Sequence, residues 1–236
     1  MTAPVPSRFG LIPAAGGSSR YGGAEPKQYA LLAGAPILRH TIRALNESIA
    51  LDAVFVILAR DDRFYAQRIG DMPGVVPLYC GGPTRAESVA NGLTAIGEHA
   101  SAEDWILVHD AARPCVDVAT LHRLLNELED EPVGGLLAIP LADTLKRAES
   151  GAGLRVASTE DRAGLWCAQT PQMFRYAILQ HAFKQAYGKT LTDEAQAVEA
   201  LGVKPRLVLG SPANIKVTYP EDLELAEAIL ARRRAR

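Results

Sequence analysis

The sequence predicts an α/β fold with a largely parallel sheet, and two patterns predict it. Short apolar runs rich in β-formers alternate with longer stretches of helical periodicity along the chain, as β-α-β units do. Ala53-Val54-Phe55-Val56-Ile57-Leu58 is apolar throughout, the pattern of a strand covered by helices on both faces. The strands expected on these grounds are Phe9–Pro13, Ala53–Leu58, Val75–Leu78, Trp105–His109, Gly135–Ile139, Trp166–Gln169 and Arg206–Leu209.

The helices between them have recognisable starts. Pro36 suits the entry to a helix over Ile37–Asn46, since a first-turn N–H has no intrahelical partner to lose. Thr84-Arg85-Ala86-Glu87 has capping-box spacing ahead of a helix to about Ile96, with Val89, Leu93 and Ile96 on one face. Val118–Leu128, Arg175–Tyr187 and Thr192–Leu201 follow. Thr218-Tyr219-Pro220-Glu221 has the same spacing before a last helix that turns Leu223, Ala226 and Leu230 inward. The basic run Arg232-Arg233-Arg234-Ala235-Arg236 reads as a solvated helix end, where cations meet the dipole favourably.

Residues 140–159 break the rhythm, being polar, with Gly151 and Gly153 and no helical stripe. They suit either a surface loop or a hairpin arm, with strands Asp143–Arg147 and Leu154–Ser158 around a turn at Glu149–Gly153. An isolated hairpin is marginal in water, so an arm of this kind needs something to rest on, such as a partner subunit.

Composition excludes several classes of function. The formal net charge of -2 gives no reason to expect non-specific binding to nucleic acid or to an anionic membrane. No apolar run approaches the roughly 18 residues of a membrane span, and the first residues lack the pattern of a secretory signal. Cys80, Cys115 and Cys167 are few, odd in number and far apart, which argues for a reducing compartment without structural zinc. A cytoplasmic protein is the expectation.

The chemistry concentrates at strand ends. Pro13-Ala14-Ala15-Gly16-Gly17-Ser18-Ser19-Arg20, continuing to Pro26-Lys27-Gln28, begins where the first strand stops, the position at which open parallel sheets bind ligands. Small residues let backbone N–H groups approach phosphate oxygens, and Arg20 and Lys27 add cations. Gly23-Ala24 stands where a P-loop needs Lys-Ser/Thr, and no Gly-x-Gly-x-x-Gly occurs. A flexible turn with charged decoration is the plain alternative.

Val108-His109-Asp110-Ala111-Ala112-Arg113-Pro114 follows another strand. An acid there can hold Mg²⁺, which takes one or two carboxylates and keeps waters and substrate phosphates; it can equally cap the next turn and pair with Arg113. His109, with no second histidine at ligand spacing, reads as a packed or hydrogen-bonded core-edge residue. Gly81-Gly82-Pro83 before the capped helix would let a flat base lie against the backbone near the Ser88 hydroxyl; read alone it is a loop and a helix cap. No Ser-His-Asp set, paired-histidine motif or cysteine nucleophile occurs, which points to a substrate that supplies its own nucleophile. A phosphate monoester does so, and its enzyme has mainly to position it and stabilise charge.

Taken in order, Pro-Ala-Ala-Gly with Arg20, Pro26-Lys27-Gln28, Arg85 with Ser88, Val108–Pro114, Asp143-Thr144, Asp161-Arg162, Thr170-Pro171-Gln172, Thr192-Asp193-Glu194 and Asn214–Thr218 with Glu221-Asp222-Leu223 resemble the bacterial 2-C-methyl-D-erythritol 4-phosphate cytidylyltransferases of the non-mevalonate isoprenoid pathway. The likeness runs from Ile12 to about Ala228. It implies a single Rossmann-like nucleotidyltransferase domain, a homodimer clasped by the hairpin arm, and Mg²⁺-dependent transfer of CMP from CTP. By that resemblance Ala14, Ala15, Gly16 and Ser18 cradle the triphosphate, Gly82 and Ser88 read cytosine, and Asp110 holds the metal. Arg20 and Lys27 stabilise the α-phosphate, while Arg162 and Lys216 position the methylerythritol phosphate with Arg113, Thr144 and Thr192.

The chain departs from the family at Ser18, where glycine is usual, at Pro83, which has no N–H for a base contact, and at Ala213, where some relatives carry an acid. The rival readings are a ribitol-5-phosphate cytidylyltransferase with the same CTP loop, and a non-catalytic nucleotide-binding domain, which would be expected to lose Arg20, Lys27 or Asp110. A glycosyltransferase would be expected to carry Asp-x-Asp, which is absent.

Overall fold

In the computed structural model, which describes residues 5–16, 25–151 and 153–234, the elements run as the alternation predicts. They are β1 (Arg8–Pro13), β2 (Leu31–Leu32), β3 (Ala35–Pro36), α1 (Ile37–Asn46), β4 (Ala53–Ile57), α2 (Tyr65–Arg68), β5 (Val75–Leu78), α3 (Arg85–Ala95), β6 (Trp105–Val108), α4 (Val118–Leu128) and β7 (Gly134–Pro140). After these come β8 (Leu145–Ala148), β9 (Val156–Glu160), β10 (Trp166–Arg175), α5 (Tyr176–Gln185), α6 (Glu194–Glu199), β11 (Arg206–Leu209) and α7 (Asp222–Arg234).

Seven strands form one sheet in the order β11-β7-β10-β6-β1-β4-β5. Every pairing in it is parallel except those of β10, which runs antiparallel to both β6 and β7. Alternation along the strands divides the core. Ile12, Val54, Val56 and Leu107 face α1 and α4 through Leu38, Ile42, Leu121 and Leu124. Phe9, Leu11, Ile57 and Val108 face α3, α5 and α6 through Val89, Leu93, Leu179 and Val198. Burial on both faces explains the unbroken apolar run of β4. Among the described residues no helix is long and apolar enough to cross a membrane.

Three expectations need correction. β10 continues past Gln169 to Arg175 although Pro171 lies within it; its pairing with β7 shifts register between Ala168 and Gln172, so proline falls where no ladder bond is required. The start of α7 is secured by Asp222 rather than Glu221, since Asp222 Oδ2 accepts from the N–H groups of Thr218 and Tyr219 at 2.7 and 2.9 Å. Arg233 is not merely solvated: it donates to the carbonyls of Cys115 and Val116 and pairs with Asp117, the cap of α4. The Thr84–Glu87 capping box forms in full.

The stretch between β7 and β10 is a hairpin, not an open loop. β8 and β9 pair antiparallel, two residues later than expected at their starts. It forms its own two-stranded sheet, and Leu154 near its tip is 97% exposed.

Two loops at the carboxyl edge of the sheet are pressed together by the absence of a side chain. A Cβ added to Gly81 would lie 2.2 Å from the Cβ of Ala15 and 2.7 Å from the Leu58 carbonyl oxygen, which itself accepts from Gly81 N–H at 2.8 Å. Gly81→Ala should therefore cost about 1–3 kcal/mol, as overpacking typically does, and lower Tm by several degrees. Gly16→Ala is the control, since its Cβ meets nothing within 4 Å. Equal Tm values for the two variants would overturn the packing argument.

Candidate active site

The carboxyl end of β6 delivers His109 and Asp110 to the edge of the sheet, where β10, α3, α6 and the 214–218 segment converge on them. Asp110 is the hub. Its Oδ1 accepts from Arg85 Nε at 2.8 Å, and its Oδ2 lies 2.8 Å from Lys216 Nζ and 3.5 Å from Arg113 Nε. Burial alone would favour the neutral acid, but Arg85, Lys216 and Arg113 together hold this carboxyl well below the usual range. It is ionised at any physiological pH.

Each partner is itself anchored. Arg85, the first residue of α3, spends its terminal nitrogens on Glu194, at 2.6 and 3.1 Å. Glu194 is completely buried, and its place is set by Gln172, which donates to the Asp193 carboxylate and accepts from the Ala195 N–H. Arg113 Nη1 donates to the Asn214 carbonyl, Asn214 Nδ2 donates to the Thr170 carbonyl, and the Val217 N–H donates to the Ala112 carbonyl. These bonds fasten the 214–217 segment beside Asp110 and so place Lys216.

His109 is fully buried, and its bonding fixes its tautomer. Nε2 sits 3.1 Å from the Arg113 carbonyl, which can only accept, so Nε2 carries the hydrogen. The Thr170 hydroxyl accepts from the Asp110 N–H at 3.0 Å and gives its own proton to His109 Nδ1 at 2.9 Å. The ring is neutral and structural, as the absence of a ligand partner predicts.

Around Asp110 opens a cavity of about 240 Å³ whose walls include Arg85, Arg113, Thr170, Thr192, Asp193 and Lys216. Three cations, Arg85, Arg113 and Lys216, stand among three carboxylates, Asp110, Asp193 and Glu194, so their formal charges balance. The guanidinium and ammonium donors on the wall suit an anion rich in oxygen. No group of three or more His, Cys, Asp or Glu side chains gathers to hold a metal among the described residues. Asp110 nonetheless fits Mg²⁺ arriving with a phosphate ligand: it is an ionised hard donor on the cavity wall, and that cation needs only one or two carboxylates from protein.

The structure brings together Asp110, Arg113, Thr192 and Lys216. Lys27 lies on a 3-10 turn (Lys27–Tyr29) and donates to the Val217 carbonyl at 2.8 Å, next to Lys216. Ala14, Ala15 and Gly16 follow β1, with Gly81 against Ala15, while Gly82 faces Glu87. Ser88 is buried, and its hydroxyl accepts from the Gly82 N–H and donates to the Thr84 carbonyl, so it braces the loop from behind. Thr144 stands on the arm and Arg162 just beyond it, both outside the cavity wall; Arg162 donates to the Ala142 carbonyl. Ser18 and Arg20 lie outside the described residues.

Arg85, Thr170 and Glu194 belong to the ordered motifs of the family likeness, which assigns them no role; the structure gives each a contact in the site. Apart from its motif, Glu194 has only the local signal of an acid in the first turn of a short helix, which is ordinarily a surface residue.

Burial pushes His109 down to about 4. An unfolded histidine titrates near 6.5, so as pH falls through that value the unfolded chain takes up a proton that the folded one refuses. The histidine should therefore remove stability between pH 6.5 and 4, by up to about 3 kcal/mol, and none above that window. In urea unfolding, the gap between wild type and His109→Gln should narrow as pH falls from 7 to 4.5. A constant gap would show that His109 does not titrate in this way.

Comparison with known proteins extends these findings along the chain. The model of the family described as 2-C-methyl-D-erythritol 4-phosphate cytidylyltransferase (IspD) matches residues 9–232. The chain is 50% identical over 232 residues to the protein of that name from Dechloromonas aromatica, covering 98% of this chain and 100% of the relative. It is 54% identical over 223 residues to the one from Laribacter hongkongensis, covering 93% and 94%. A crystal structure of a 4-diphosphocytidyl-2C-methyl-D-erythritol synthase superposes with TM-score 0.85 at 38% identity, covering 96% of this chain and 100% of that one. The Francisella tularensis 2-C-methyl-D-erythritol 4-phosphate cytidylyltransferase gives 0.81 at 34%, covering 94% and 99%. Sharing both sequence and fold over almost its whole length, the chain belongs to the 2-C-methyl-D-erythritol 4-phosphate cytidylyltransferase family.

Proposed function

We propose that the protein is a single nucleotidyltransferase domain that moves CMP from CTP to 2-C-methyl-D-erythritol 4-phosphate in isoprenoid precursor biosynthesis. The products are 4-diphosphocytidyl-2-C-methyl-D-erythritol and pyrophosphate. The observation that carries this reading is the gathering of Arg85, Arg113 and Lys216 around Asp110, with Lys27 tied to its rim through Val217. A phosphate oxygen of the methylerythritol phosphate forms the new bond to the α-phosphorus of CTP. The bond from that phosphorus to the bridging oxygen breaks, and the electron pair leaves on pyrophosphate. No proton need be removed from a phosphate dianion, so the site requires cations and positioning rather than a general base.

The residues divide this work by position. The backbone of Ala15 and Gly16, with Ser18, cradles the triphosphate, while Ala14, whose N–H and carbonyl bond Ile57 and Gln28, fixes the start of the loop rather than meeting the ligand; Gly82 meets the cytosine, with Ser88 holding its backbone in place. Arg20 and Lys27 meet the charge that grows on the α-phosphate. Lys216, Arg113 and Thr192 receive the phosphate of the acceptor. Mg²⁺, held by Asp110, would neutralise triphosphate charge when bound. A pyrophosphate-release assay tests the whole reading: CTP with methylerythritol phosphate should turn over, and ATP, GTP, UTP or ribitol 5-phosphate in their places should not. Equal turnover of ribitol 5-phosphate would make the acceptor assignment wrong. Lys27→Ala should lower kcat by about 10²–10³, the usual effect of removing one transition-state donor, with a smaller change in CTP affinity. Near-normal kcat with only a raised KM for CTP would exclude that role.

The arm supplies the rest through a homodimer, in the cytoplasm. Its support is the exposed apolar surface of the arm and its base, Leu154, Val156, Leu165 and Trp166, and the position of Thr144 and Arg162 away from their own chain's cavity. If the arm crosses a two-fold axis, each site takes Lys27 from one chain and Arg162 from the other. Lys27→Ala and Arg162→Ala dimers should each be nearly inactive. Co-refolded together they should recover roughly a quarter of wild-type activity, because about half the dimers are mixed and each mixed dimer has one intact site. No recovery, with mixed dimers shown to have formed, would mean that each chain builds its own site.

A further inference from the structure

Three consecutive residues of the 3-10 turn each hold a different segment. Lys27 Nζ donates to the Val217 carbonyl at 2.8 Å, Gln28 Nε2 to the Ala14 carbonyl at 2.7 Å, and Tyr29 Oη to Asp62 Oδ2 at 2.7 Å. Gln28 and Tyr29 are buried, and the Tyr29 ring lies against Phe64. The outer two bonds pin the turn in place. The middle one acts on the first loop.

Ala14 has no backbone group left to offer a ligand. Its N–H donates to the Ile57 carbonyl at 2.8 Å, and its carbonyl is taken by Gln28. The peptide joining Ala14 to Ala15 is trans, and in a planar trans peptide the C=O and N–H point in opposite directions. Holding the carbonyl toward Gln28 therefore turns the Ala15 N–H to the other side. Released from Gln28, the same peptide could rotate and present its oxygen where its hydrogen had been, which repels an anion. The close passage of Gly81 beside Ala15 holds the second flank.

We infer that Gln28 is a positioning residue for the reaction: its side-chain amide fixes the Ala14–Ala15 peptide so that the Ala15 N–H meets the nucleotide's phosphate oxygens. The inference rests on the reading of this loop as the triphosphate cradle. Gln28→Met keeps the length of the side chain and removes the donor, while Lys27 and Tyr29 still anchor the turn. Gln28→Glu keeps the shape and sets a carboxylate against the carbonyl, and it serves as the second variant should the first not fold.

Calorimetric binding of CTP, tripolyphosphate and cytidine separates the roles. Either folded variant should bind CTP and tripolyphosphate up to roughly tenfold more weakly, the loss expected of one buried hydrogen bond. Cytidine should bind within twofold of wild type. A general loosening of the fold would instead weaken all three, and that result overturns the inference. So does CTP and tripolyphosphate binding within twofold of wild type, which would leave the cradle standing without Gln28. A wild-type protein that binds CTP but not tripolyphosphate would remove the cradle and this role together.

Discussion

The ionised Asp110 carboxylate is the constraint on which the rest of the site depends. A nearly buried carboxylate is costly unless paired, and here the pairing recruits side chains from three separate parts of the chain, Arg85, Arg113 and Lys216. Arg85 then needs a counter-charge of its own and finds it in Glu194. Electroneutrality thus links α3, α6, the turn after β6 and the segment before α7. The donors that Arg113 and Lys216 present on the cavity wall are the part offered to a ligand.

That arrangement depends on β10 running against the parallel direction of its neighbours. Its register shift around Thr170 and Pro171 frees the Thr170 hydroxyl to bond both the Asp110 N–H and His109. The neutral His109 beneath is a buttress, bonded at both nitrogens, and it keeps the turn from Asp110 to Arg113 closed.

Much of the fold was legible because its signals are local. α1 and α4 match their expected bounds residue for residue; Pro36 marks the entry of α1, and in the structure Asp117 caps α4 by accepting from the Thr120 N–H. The strand β10 was read too short because a proline within an apolar run is local evidence for a strand end, and only the neighbouring strands could show that no ladder bond was needed there. In the site, Asp110, Arg113, Thr192 and Lys216 were identified through ordered motifs and do line one cavity. The part played by Arg85 and Glu194 was not legible. Each sits at a helix start, where propensity already accounts for it, and 109 positions of chain separate the two. Ser88 was read as a group facing a base, whereas its hydroxyl is used by the loop that carries it.

The contact between Ala15 and Gly81 also limits how such a chain can diverge. The room for a methyl group at position 15 exists only because position 81 has none. A side chain at position 81 would meet not only that methyl group but also the Leu58 carbonyl oxygen at 2.7 Å, so even glycine at position 15 makes no room for it. The dependence between the two codons is therefore one-sided: position 81 is held to glycine by backbone whatever stands at position 15, and position 15 is free to hold alanine only while that glycine persists.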